Sequence, residues 1–113
     1  MSFYTNISLI KEIDADECNK ILNIPIEATY GTVDIILIWF NAFYSLHNII
    51  KEKEYYDPNT QEAFMCIEDL FELEDNIKND SDVYNVKKFL AFTKRIKDNR
   101  ELFKDYNFNY FLG

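Results

Sequence analysis

Two glycines and two prolines in 113 residues leave little material for tight turns. That scarcity argues against an all-β fold of many hairpins and against a disordered chain. One histidine, His47, and two cysteines, Cys18 and Cys66, fall outside CxxC or paired-His spacing, so no metal-ligand motif is present and no metal or other cofactor is expected. Positive charge is also short. Twelve basic residues face twenty acidic ones, a net charge of −8, which disfavours DNA, RNA and anionic membrane as direct partners. No apolar run is long enough to span a bilayer, and no basic start with an apolar core marks a secretory leader. The cytoplasm of a bacterium or of a host cell is the expected compartment, with both thiols free.

What is present is core material: 48% of the residues are hydrophobic and 17% aromatic. That suffices for one domain, residues 1–113, without disulfides. The strongest apolar stretch runs from Thr32 to Glu54. Placed on a helix, Asp34, Asn41, Ser45, Asn48 and Glu52 share one stripe, and nearly everything else is apolar. With Gly31 and Thr32 as its start, this predicts a buried central helix, about residues 32–54, in an all-α bundle of four to five helices.

The remaining helices are placed around it. Asp14 and Glu17 form a capping pair for a short helix over 15–23, which stops before Pro25. Residues 2–13 read as a short helix or an extended arm. Pro58 ends the central helix, and Ala63, Cys66, Ile67, Leu70, Leu73 and Ile77 give an amphipathic helix over 61–78. A last helix over 83–104 buries Val86, Phe89, Leu90, Thr93 and Ile96 and bends near Asp98 and Asn99. The ending, residues 105–113, alternates aromatic residues with Asn and is expected as an ordered tail against the bundle.

Charge is segregated along the chain. Residues 54–82 carry a net −9 and residues 83–104 a net +5, so the helices they form are complementary neighbours. Glu68, Asp69, Glu72 and Asp75 gather on one face, with Met65 among them as an apolar anchor and Tyr55 and Tyr56 exposed at the adjoining corner. Apolar contacts ringed by charge suit protein recognition, anchors giving desolvated contact and charges steering the encounter. His47, on the apolar side of its helix and without a second ligand nearby, is expected to be structural. The run from Asp14 lacks the Gly and the final Glu of a calcium loop.

Tyr55-Tyr56-Asp57-Pro58 resembles the Tyr-Tyr-Pro of the small acidic helical immunity proteins that block nuclease colicins, whose paired tyrosines contact the toxin. Asp57 interrupts that motif, and the resemblance covers these residues alone, so it does not assign the chain to that family. The function expected from the sequence is a non-enzymatic acidic interaction module. Such a module would be a small inhibitor, an immunity protein or a phage or viral counter-defence factor, that occludes a basic surface of a protein partner. The alternative is a structural or regulatory homodimer that uses the aromatic tail from Tyr106 to Leu112.

Overall fold

A computed structural model describes residues 3–10, 13–30 and 34–112. It overturns the all-α bundle. The chain forms β1 (Tyr4–Leu9), α1 (Ala15–Leu22), β2 (Thr29–Tyr30), β3 (Ile35–Asn41), α2 (Tyr44–Lys51), β4 (Tyr56–Asp57), β5 (Glu62–Met65), α3 (Ile67–Ile77), α4 (Val83–Asp98), α5 (Arg100–Phe103) and β6 (Phe108–Leu112). The strands make one six-stranded sheet in the order β2-β3-β1-β6-β5-β4, with every pairing antiparallel.

The expected central helix is replaced by a strand, a turn and a shorter helix. Ile35-Ile-Leu-Ile-Trp-Phe crowds β-branched and aromatic side chains, which fit a pleated surface better than a helix. The strand ends because Ala42 takes a φ of 56°, a left-handed conformation that no α-helix contains. Its N–H donates to the Phe3 carbonyl at 2.6 Å, and α2 starts two residues later. Gly31 and Thr32, the expected helix start, lie outside the described residues.

A register irregularity explains why periodicity misleads here. Ile7 pairs with Ile38 but Ser8 with Ile36, so Leu37 is an extra residue in β3. Ile35, Leu37, Ile38 and Phe40 are all buried. Alternation along the strand is thereby hidden.

Pro58 sits in the β4–β5 turn rather than ending a long helix. The Asp57 carboxylate accepts from the Asn59 N–H at 2.9 Å, and Gln61, at φ 59°, donates its N–H to the Asp57 carbonyl at 2.8 Å. The aromatic tail is also a strand. β6 lies near the middle of the sheet, hydrogen-bonded to β1 on one side and β5 on the other, and Phe108 and Tyr110 are fully buried.

Three helices fall close to their expected places. Asp14 caps α1 by accepting from the Glu17 N–H at 2.8 Å. α3 begins later than expected, because residues 62–65 belong to β5 and Cys66 is its N-cap. The last helix breaks at Asn99, between α4 and α5. Ile7, Leu9 and Tyr110 from the sheet join Ile21, Leu46, Leu70, Leu73 and Phe89 from the helices in one core. Full burial of each aliphatic or Phe side chain contributes about 1.5–3 kcal/mol.

Candidate functional site

The acidic residues of α3 are engaged within the molecule. Glu68 reaches Arg100 at 3.4 Å, Glu72 reaches Lys53 at 3.4 Å and Asp75 reaches Lys78 at 3.5 Å. Asp69 accepts from the Cys66 N–H at 3.1 Å and closes the α3 cap. Glu74 meets Lys97 at 2.8 Å, and Lys97 and Arg100 both lie over the Phe71 ring. The acidic and basic helices therefore answer each other.

Of the apolar residues expected beside these carboxylates, Met65 is 1% exposed and belongs to the core. Tyr56 pairs with Ala63 and turns toward His47, its ring edge-on with centroids 6.0 Å apart. Tyr55 does come near Asp69 and Glu72: burial first, then these two charges, push its phenol well above the ordinary range. The expected patch of Met65, Tyr55 and Tyr56 is thus not assembled on the surface.

His47 is a packed core residue. Its Nδ1 lies 2.8 Å from the Tyr110 hydroxyl, and the Tyr110 ring stacks on it. Cys18 is buried and Cys66 is exposed at the α3 cap; both are free. Burial raises the Cys66 thiol above its ordinary value, which disfavours the thiolate. Among the described residues, no group of three His, Cys, Asp or Glu side chains is placed to hold a metal ion.

Another surface is the sheet face opposite the core. Because strand side chains alternate, the partners of Ile7, Leu9, Phe108 and Tyr110 face the helices, and the intervening residues face away. Register places Trp39, Asn6, Phe111 and Glu62 in one row across that outer face, and Ile36, Ser8, Asn109 and Phe64 in the next. Trp39 is 40% and Phe64 49% exposed. These are large apolar side chains on strands, with no described helix over them.

The same face carries a trough of about 260 Å³. Asn6 and Ser8 form its floor, with Ile36, Phe111, Asn109, Glu62 and Asp34 around them, and none of these belongs to a helix. Asn6 is 8% and Ser8 2% exposed although register places them away from the core. The Asn109 Oδ1 is buried without a hydrogen-bond partner. An unpaired polar group of this kind costs about 1–3 kcal/mol. Among the described residues, no lysine or arginine lines the trough and two carboxylates do, which makes this lining acceptor-rich and negative.

Trp39, Glu62 and Phe64 lie on strands within the helices expected over residues 32–54 and 61–78, so this surface has no counterpart in the expected bundle. The available signal was the spacing of Asn107, Asn109, Phe108 and Tyr110, an alternation of period two that fits a strand. No family model, curated protein or solved structure matches the chain. Fold and site define an acidic mixed α/β domain with an antiparallel sheet, one face of which carries no described helix. No described helix is long and apolar enough to cross a membrane.

Proposed function

We propose that this chain is a non-enzymatic protein-binding module that seats a basic protein partner on the uncovered face of its sheet, acting as a small inhibitor of the immunity or counter-defence kind. The observation that carries this reading is the presence on one sheet face of exposed Trp39 and Phe64 and of a trough whose described lining holds Asp34 and Glu62 and no lysine or arginine. Aromatic anchors supply desolvated contact area, and a net charge of −8 steers a cationic partner toward them. The surface differs from the one expected on α3, where each carboxylate already has a partner or a capping role.

Stacking of single-stranded nucleic acid on sheet aromatics fits less well. Such platforms line a positive groove that tracks the phosphates, whereas carboxylates line this one. Homodimerisation through residues 106–112 also loses support. Those residues from Phe108 onward are hydrogen-bonded into the chain's own sheet on both sides. A cytoplasmic setting is part of the proposal and accords with the free thiols.

Affinity capture from the native host tests it with three baits: the wild-type chain, Trp39→Ser/Phe64→Ser, and Glu68→Gln/Glu72→Gln. A basic protein retained by the first and third baits, lost from the second and eluted by salt is the expected outcome. Retention by the Trp39→Ser/Phe64→Ser bait overturns the proposal. So does a wild-type dimer in light scattering that the same substitutions dissolve, which would put a second copy on this face.

A further inference from the structure

Resting on that protein-binding reading, we infer that the trough over Asn6, Ser8 and Asn109 receives an arginine side chain of the partner as its anchor. Asn109 lies beside Ser8 in the β1–β6 register, and Glu62 pairs with Phe111, the next outward residue of β6. Asn6 and Glu62 are therefore both diagonal neighbours of Asn109. Diagonal positions on a sheet are about 7–8 Å apart, within reach of one extended, multiply donating group.

The floor asks for donors. Asn6 is more than nine-tenths buried and lines the trough. The Asn109 Oδ1 is buried and unpartnered, and the Glu62 carboxylate stands at one end. A guanidinium has five N–H donors in a planar fork and no acceptor, so it can donate to the Asn109 oxygen, the Asn6 carbonyl oxygen and Glu62 together. Its methylene stem is apolar and lies against Phe111 and Ile36. Lysine brings three donors on a compact, strongly hydrated ammonium, which spans the diagonal less well. An anion is excluded by Asp34 and Glu62, and a second copy of this chain would bring the same carboxylates face to face.

The test is an NMR titration of the isotope-labelled full chain with N-acetylarginine methylamide, with N-acetylcitrulline methylamide as the neutral isostere. The expected result is a saturable shift of the Asn6 and Asn109 side-chain amide signals and of the Ser8 and Phe111 backbone amides. Citrulline should bind about tenfold or more weakly, because it keeps the shape and loses the charge. Glu62→Gln should weaken the arginine response by a similar factor while leaving the rest of the spectrum in place. Equal binding of citrulline, shifts confined to the α3 surface, or no saturable shift overturns the arginine anchor. If that occurs while the partner still requires Trp39 and Phe64, only the anchor fails. If Trp39→Ser/Phe64→Ser captures the partner normally, the binding face fails as well.

Discussion

Nδ1 of His47 and the hydroxyl of Tyr110 lie 2.8 Å apart in the core and join positions 63 residues apart. The contact ties α2 to β6, with Phe3 and Tyr56 edge-on to the imidazole. Burial, and secondarily the charge of Lys51, holds the imidazole below its ordinary value of 6.5. The neutral ring is therefore native, and the unfolded chain takes up the proton at a higher pH than the folded one. This contribution is complete above about pH 6.5 and is lost as pH falls through the folded value. Urea unfolding at about pH 7.5 and about pH 5.5 should show a loss on acidification that is smaller in His47→Leu. Equal losses in the two proteins would contradict the assignment.

Tyr110→Phe isolates the hydrogen bond from the packing. The ring stays in the core while the Nδ1 of His47 loses its partner, at a cost of about 1–3 kcal/mol. Combined with His47→Leu, the second substitution should cost less than it does alone, since the two residues share one interaction. Additive losses in a denaturation cycle would mean that the pair contributes only through packing.

Ala42, at φ 56°, connects β3 to α2 with a backbone that a Cβ disfavours. Ala42→Gly relieves that conflict but gives the unfolded chain more freedom. The net expectation is a gain of up to about 1 kcal/mol in unfolding free energy. A loss would show that the methyl packs against something the backbone argument omits.

The helices and the strands were not equally readable from the sequence. α1 and α4 carry their own start signals: Asp14 and Asp82 accept from backbone N–H groups three residues ahead. The strands carry no comparable punctuation. Leu37 interrupts the alternation of β3, and β6 has buried partners on both sides that only the fold supplies. Phe108, Tyr110, Ile7 and Leu9 meet across about one hundred residues, a long-range pairing that no local window contains. The binding face was unreadable for the same reason, since Asn6, Asn109 and Glu62 come from three strands separated in the chain.

α3 offers a test of whether its acidic residues are structural. Glu68 and Glu72 make exposed ion pairs, which contribute roughly 0–1 kcal/mol each. Asp69 instead accepts from the Cys66 N–H at the helix start, a cap whose loss costs about 0.5–2 kcal/mol. Thermal unfolding should rank Asp69→Ala below both Glu68→Gln and Glu72→Gln. The reverse order would mean that the ion pairs, rather than the cap, hold this end of the helix.

Trp39 and Phe40 are adjacent in β3 and face opposite sides of the sheet. Phe40 is fully buried against Phe43 and Phe89, so Phe40→Ala should cost about 3–5 kcal/mol. Trp39 is 40% exposed, and Trp39→Ser should cost far less, about 1 kcal/mol. Denaturation of the two variants checks which of these two neighbouring side chains belongs to the core. It also bears on function. If Trp39→Ser is mild in stability and severe in partner capture, the indole serves contact with another molecule; if it unfolds the chain, Trp39 belongs to the core and the outer face lacks its principal anchor.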